Sequence, residues 1–440
     1  MRTALAAVLT GILAGLTGVL LIALLHVVQH LAFGYTEESF LIGVDQASAV
    51  RRVLALTVGG AIAGVGWWIH RRVTRGNVSV THALRSVTDR MKIAPVAADG
   101  LLQIVAVGAG ASLGREGAPR EIGAAFGDRL AGWFGLDGRD RRILLAAGAG
   151  AGLAAVYNVP VSGVAFALEA LLLTVRPRAL LLAALSSAAA TATARVFVGD
   201  QVTYRVPTSA QTADVLVASL VIGPACALGA LGFRAAMTRA RIAAPQGWRS
   251  ALAITASFAS LGVAAIALPE ILGNGKSLAQ AVFSGPTSLA LAAVLVLAKP
   301  LATWLCLRSG AIGGLLTPAF ATGATLGFLL SHVWNVSGSD TAVFTLMGAS
   351  AFLAVAQRIP VTAGVLALEL THLGSGVVLP IVLSLVTATL TAHALRRVRV
   401  RRLPWRPRRR PVDLQPDRRT VGARRGAGVG DGHRATGVAR

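Results

Sequence analysis

The sequence predicts an all-α membrane protein built from many tilted and broken transmembrane helices, and three observations lead there. Of its 440 residues, 54% are hydrophobic and 14% charged, where soluble proteins carry roughly 25% charged residues; mean hydropathy is +0.67. Apolar runs recur almost end to end, at 4–33, 53–69, 215–231, 288–298 and 377–395. Between them lie apolar segments that are short or broken by Gly and Pro, at 96–113, 121–134, 161–175, 312–330 and 361–370. Interrupted helices at membrane depth are tolerated only where the freed backbone is buried in protein or lines a cavity. A transport path is the expected reason for them.

The first run follows Arg2 and continues to Phe33. A secretory signal has an apolar stretch of only ~7–15 residues before a small-residue cleavage site, so a first transmembrane helix is expected instead. At ~1.5 Å per residue it outreaches the ~30 Å hydrocarbon core and must tilt. The loop after it carries Glu37, Glu38 and Asp45, whereas the loop after the second run carries Arg71, Arg72, Arg75, Arg85, Arg90 and Lys92. The positive-inside rule places the first loop outside and the second inside, with Arg51 and Arg52 as exceptions.

Two glycine-rich loops each open a short helix: "GREGAPREIGAAFG" from Gly114 and "GGLLTPAFATGATLG" from Gly313. The first turn of a helix has N–H groups without intrahelical partners and carries partial positive charge, so an end buried in the membrane is an anion site. The expected donors are the amides around Arg115, Glu116 and Gly117 and those around Leu315 and Leu316. Glu116 sits among them. A carboxylate in a bilayer is costly and functional by default. Here it would compete with the permeant anion for the same donors until protonated, which makes it the expected gate and proton acceptor.

The chain also repeats itself. "VPVSGVAFALEA", 159–170, aligns with "IPVTAGVLALEL", 359–370, matching Pro160 with Pro360, Ser162 with Thr362 and Glu169 with Glu369. Upstream, "GREGAP" sits where the second half has "GGLLTP", and after a one-residue shift Gly123 and Gly127 meet Gly323 and Gly327. The repeats are placed at roughly 96–240 and 290–396, within a membrane domain 1–398. Paired broken segments in corresponding positions point to a transport site at the repeat interface. Equivalent placement favours a structural role for Glu169 and Glu369, such as accepting backbone N–H bonds. A proton-path role for Glu169 stays open.

The net charge of +23 invites a nucleic-acid reading, but the stretch from Arg401 alone holds twelve Arg and three Asp without apolar periodicity. Such a segment cannot bury a core, so 399–440 is expected to be a disordered cytoplasmic tail attracted to anionic lipid heads, with no nucleic-acid partner. Other lures fail on chemistry. "GASLG", 110–114, resembles a nucleophile elbow but ends an apolar helix, and "GNGKS", 273–277, has Glu270 where a phosphate loop needs glycine. His26 and His30 share a helix face without a third ligand, and Cys226 and Cys306 lie in apolar runs as core thiols. Neither enzyme activity, a metal nor a cofactor is expected.

The residues of "GREGAPREIG", "LAAGAGAGLAAVYNVPVSGVAFALE", "SGAIGGLLTPAFATGATLG" and "AVAQRIPVTAGVLALE" resemble the CLC family of chloride channels and chloride/proton exchangers, across roughly 96–395. The resemblance implies an inverted-repeat bundle, a homodimer with one pore per subunit, and a central anion held by helix N-termini beside a gating glutamate. Glu116 aligns with that gate, and Leu315 and Leu316 with the second-loop donors. The family's Gly-Ser-Gly-Ile-Pro loop falls near 75–80, where Asn77 and Ser79 are the candidates for its serine. The exchangers' inner proton glutamate aligns with Ala170, next to Glu169, and no tyrosine follows Tyr204 to close the inner mouth. The function so implied is movement of chloride or a similar small anion through a cell membrane, channel-like or weakly proton-coupled. Tightly coupled chloride/proton exchange is the alternative, with fluoride or nitrate as less favoured cargo.

Overall fold

In a computed structural model, the described residues are 1–402 without 36–38, 75, 87, 207–212, 285–286 and 337. Glu37, Glu38, Arg75 and the Arg-rich tail beyond 402 therefore lie outside them. The chain divides into a compact unit, Met1–Arg396, and a second, Arg397–Arg440.

The helices in chain order are α1 (Arg2–Phe33), α2 (Phe40–Gln46), α3 (Ala49–Thr74), α4 (Val80–Arg85), α5 (Ile93–Gly108), α6 (Gly117–Trp133), α7 (Gly138–Tyr157), α8 (Pro160–Phe166) and α9 (Pro177–Val198). They continue as α10 (Ala213–Ile242), α11 (Trp248–Ala267), α12 (Lys276–Ser284), α13 (Leu289–Arg308), α14 (Leu316–Val333), α15 (Ser339–Gln357), α16 (Pro360–Thr371) and α17 (Val378–Arg402). A π-helical turn, Ala167–Leu172, prolongs α8. Among the described residues, nine helices are long and apolar enough to cross a membrane. The protein is an all-α membrane protein: five of these spans fall on the five apolar runs, α14 on the broken segment 312–330, and α9, α11 and α15 outside both sets.

Most runs extend beyond their apolar stretch because polar ends can continue a helix into the interface. The second run becomes α3, which reaches Thr74 and carries Arg71 and Arg72 in its last turn. Proline did not end the third: Pro224 lies inside α10. The two exceptions to the charge rule acquire a cause. Arg51 donates to the carbonyls of Leu31 and Ala32 at 3.0 Å, closing the open end of α1. Arg52 donates to the carbonyls of Asp45, Ala47 and Ala265. Both guanidiniums complete helix C-termini, so their positions are set by orphan carbonyls and helix dipole rather than by sidedness.

The repeat is structural, and several equivalent positions lie 200 residues apart. Asn158 and Arg358 both adopt the left-handed conformation that ends α7 and α15 (φ 59° and 62°). Pro160 and Pro360 then open α8 and α16 at the first helical position, where a missing N–H costs nothing. Gly110 and Gly310 turn the chain after α5 and α13 with φ of 110° and 100°, a region side chains other than glycine rarely occupy. Glycines also set helix approach: a methyl on Gly148 would overlap the Gly123 carbonyl, and one on Gly348 the Gly323 carbonyl. Such contact substitutes for the hydrophobic driving force that lipid removes.

At the centre, Gly114 and Gly314 bridge antiparallel, N–H to carbonyl at 2.8 and 2.9 Å. The bridge has an offset of 200, so Gly114 meets Gly314 and not the Gly313 that the aligned loops set opposite it. At the helix starts the offset is 199, as in the aligned loops: Gly117 opens α6, Leu316 opens α14, and Pro119 and Pro318 are each the third residue of their helix.

Candidate functional site

The bridge brings the starts of α6 and α14 together around one side chain. Glu116 is the N-cap of α6, and its carboxylate is fully buried. Its Oε1 accepts the N–H of Leu316 at 2.7 Å, the first residue of α14. Its Oε2 accepts from Tyr157 Oη at 3.3 Å and Thr317 Oγ1 at 3.2 Å. Tyr157 and Thr317 are themselves joined at 2.7 Å. A negative group thus occupies an unsatisfied helix N-terminus, where backbone N–H and dipole both favour it.

Gly114 and Gly314 frame this carboxylate closely, since a methyl on either would overlap it. Gly117, the first residue of α6, lies against Gln103. Leu315 is the N-cap of α14, and its carbonyl accepts from Gln357 at 3.5 Å. Arg115 does not pair with Glu116. Its guanidinium lies over the Tyr157 ring, 5.0 Å from the centroid, and donates to the Val156 carbonyl at 3.4 Å. Of the expected site residues, Arg115, Glu116, Gly117, Leu315 and Leu316 are therefore gathered at one place.

Asn77 and Ser79 are occupied elsewhere. Ser79 caps α4 by accepting the His82 N–H at 3.3 Å, and Asn77 Nδ2 donates to the Pro95 carbonyl at 3.4 Å. Among the described residues no bond links either to Glu116. The local N-cap that precedes a helix claims the serine hydroxyl first.

Glu169 and Glu369 act as a reciprocal pair. Glu369 accepts the N–H groups of Val161 (2.9 Å) and Ser162 (2.7 Å) and the Ser162 hydroxyl (2.6 Å). Glu169 repeats this at Val361 (2.9 Å), Thr362 (2.7 Å) and the Thr362 hydroxyl (2.6 Å). Each half thus caps the short broken helix of the other, the N–H-accepting role that equivalence in the repeat favoured. Charge-assisted bonds of this kind are about twice as strong as neutral ones.

The lures find ordinary places. Ser112 is buried against Thr303, hydroxyl to hydroxyl at 3.2 Å. The loop before α12 is held by Lys299, buried and donating to the carbonyls of Ile271 (2.8 Å), Leu272 (3.3 Å) and Gly273 (2.7 Å). The Gly273 N–H reaches the Gly110 carbonyl at 2.9 Å, tying this loop to the turn before Gly114. Cys226 and Cys306 are buried free thiols.

With this constellation in place, the comparison with known families decides the membership. A family model described as voltage gated chloride channel matches residues 59–393. The chain belongs to the CLC family. Among curated CLC relatives, the H(+)/Cl(-) exchange transporter ClcA of Vibrio cholerae serotype O1 is 27% identical over 407 residues, covering 88% of this chain and 85% of that one. A putative chloride channel protein ClcB-like from Ralstonia nicotianae is 29% identical over 365 residues, covering 78% and 82%. The CLC fold is matched by a slow cyanobacterial Cl-/H+ antiporter, with a TM-score of 0.78, 20% identity and coverage of 90% and 95%. A CLC-type fluoride/proton antiporter matches with a TM-score of 0.71, 21% identity and coverage of 89% and 95%.

Reading this CLC sequence alone missed Tyr157, Thr317 and Gln103. Tyr157 precedes the left-handed turn at Asn158, and Thr317 precedes Pro318. Only their adjacency to recognised motifs was visible.

Proposed function

We propose that this protein exchanges chloride, or a similarly small anion, for protons across a cell membrane, with Glu116 as both gate and proton acceptor. The observation that carries the reading is the bond from Leu316 N–H to Glu116 Oε1 at 2.7 Å. The carboxylate stands where an anion would be held. Protonation removes its charge, weakens that bond, and frees the helix ends around Gly117, Leu315 and Leu316 for the permeant anion. One carboxylate would then serve the anion and the proton in turn, which is the minimum device for coupling them.

The sequence favoured channel-like movement because Ala170 cannot titrate and no tyrosine follows Tyr204. The named activity of the Vibrio relative, exchange of chloride and protons, supports the coupled alternative instead. A tyrosine also reaches Glu116, from α7 rather than from the second half. In this reading residues 1–398 are the transport domain and 399–440 a cytoplasmic tail. The protein works as a homodimer in the lipid bilayer, and a groove of ≈ 570 Å³ between α16 and α17, lined by Val361, Val365, Ile381 and Leu385, is the face given to the second subunit.

The test is purified protein in liposomes, with chloride efflux and internal pH recorded together. A chloride gradient should drive protons the opposite way at a fixed ratio. Chloride efflux with no accompanying pH change would defeat the exchange reading and restore the channel.

A further inference from the structure

We propose that Glu121 is the carboxylate that takes protons from the vestibule and passes them to Glu116, an assignment that rests on the exchange reading above. A vestibule of ≈ 710 Å³ reaches the underside of the site, and Gln103, Gly117, Arg120, Glu121, Arg241 and Gly313 are among the residues lining it. Arg71, at the C-terminal end of α3, lines it too, so it opens on the side that positive charge marks as inner.

Glu121 is the one carboxylate among the described residues that line this space. It is partly buried, and among the described residues it has no hydrogen-bond or ion-pair partner. The cations around it are committed to backbone. Arg120 Nε donates to the Glu116 carbonyl at 2.9 Å, Arg241 to the Gly313 carbonyl at 3.2 Å, and Arg71 to the Gly310 carbonyl at 3.0 Å. On α5, Asp99 is taken up by Trp67 Nε1 at 2.8 Å and Gln103 Nε2 at 2.9 Å. Helices α1 and α7, also packed on α6, contribute no residue to the vestibule lining. Glu121 thus faces water with fixed positive charge nearby and its own oxygens free, the condition for a group that must load and unload a proton.

Glu116 and Glu121 are five residues apart at the start of α6, a rise of ~7.5 Å along the axis and a turn of ~140° about it, so a relay is needed between them. Gln103, which lines the vestibule with Glu121, sets its Oε1 against Gly117, the residue after Glu116, buried and without a partner. Its orientation follows from Asp99, whose carboxylate accepts and so draws the Nε2 donor to itself. A buried acceptor left over in this way is a seat for a donating water, through which the proposed transfer between the two carboxylates would run. Ala170, which aligns with the family's inner glutamate, is not among the residues lining the vestibule. The alternative role for Glu121 is to balance the arginine charge, which would alter anion affinity and leave the ion ratio alone.

The experiment measures protons moved per chloride in liposomes, from reversal potentials across a proton gradient, for wild type, Glu121→Gln and Glu121→Asp. A wild type that moves no protons overturns the exchange reading and this assignment together. With a coupled wild type, Glu121→Gln should lower protons per chloride at least about tenfold, and Glu121→Asp should restore coupling with a displaced pH profile. Coupling in Glu121→Gln at the wild-type ratio overturns the assignment alone. If Glu121→Gln moves neither ion, Glu121→Asp decides: coupled flux with a displaced pH profile supports the assignment, and a wild-type profile or no flux overturns it.

Discussion

Glu116 and Leu316 stand 200 residues apart in the chain and 2.7 Å apart in space, carboxylate oxygen to backbone N–H. The first residue of one half's broken helix is thereby closed by the N-cap side chain of the other. Each half supplies what the other lacks, as Glu169 and Glu369 do again at the neighbouring pair of helices.

Glu116→Gln should release the gate. The amide is uncharged at every pH, so it competes poorly with an anion for the Leu316 N–H. Chloride flux is expected to lose most of its pH dependence and all of its coupling to protons. Retention of the wild-type pH profile, measured by efflux from liposomes at several pH values, would remove Glu116 from this role.

Tyr157→Phe keeps the ring beneath Arg115 and removes the hydroxyl that serves Glu116 and Thr317. A hydrogen bond to a carboxylate at 3.3 Å is long, so its loss is set at about 1 kcal/mol, the value of an ordinary hydrogen bond and below the range for charged acceptors. The ionised gate should leave its seat roughly fivefold more often, giving faster chloride efflux at alkaline pH. Unchanged efflux there would mean that Tyr157 holds Thr317 alone.

Glu169→Gln and Glu369→Gln should destabilise the fold to a similar degree. Each carboxylate accepts from two N–H groups and a hydroxyl, and an amide would turn its own NH2 toward one of those donors. The expected cost is about 1–3 kcal/mol each, read as a lowered melting temperature in detergent. If Glu169→Gln melts like the wild type yet loses proton coupling, Glu169 belongs to the proton path rather than to a cap.

Glycine substitutions separate gate from scaffold. In Gly314→Ala the atoms nearest the added methyl all belong to the Glu116 side chain, so the carboxylate is pushed aside and flux should lose pH sensitivity in a folded protein. In Gly348→Ala the methyl meets the backbone of Gly323 and Gly327, which cannot yield without moving a helix. That protein should express poorly or melt early. Equal stability of the two variants would contradict the packing described.

How much was legible depends on the residue. The spans were legible because hydropathy is a local property that the bilayer reads directly. The repeat was legible in Pro160 and Pro360 and in Glu169 and Glu369, and Glu116 stood out because a carboxylate among apolar residues needs a reason. Arg51 and Arg52 looked like violations of a charge rule until the carbonyls they serve were in view. The register of the two central loops was legible in part: Pro119 and Pro318 mark the matching helix starts, whereas the pairing of Gly114 with Gly314, one residue away from that match, was not visible.

The sequence by itself determined that this chain is a helical membrane protein with two related halves, and it singled out the helix ends around Glu116 as the expected anion site and gate. Periodicity, hydropathy and motif spacing are carried by neighbours in the chain, and those suffice for such conclusions. Only the tertiary structure decided which groups meet. It paired Gly114 with Gly314, set Tyr157 and Thr317 on Glu116, exchanged the caps of Glu169 and Glu369 between halves, and opened a vestibule onto Glu121 and Gln103. Those contacts join residues tens to hundreds of positions apart through backbones brought close at glycine. No local pattern records which two glycines will touch.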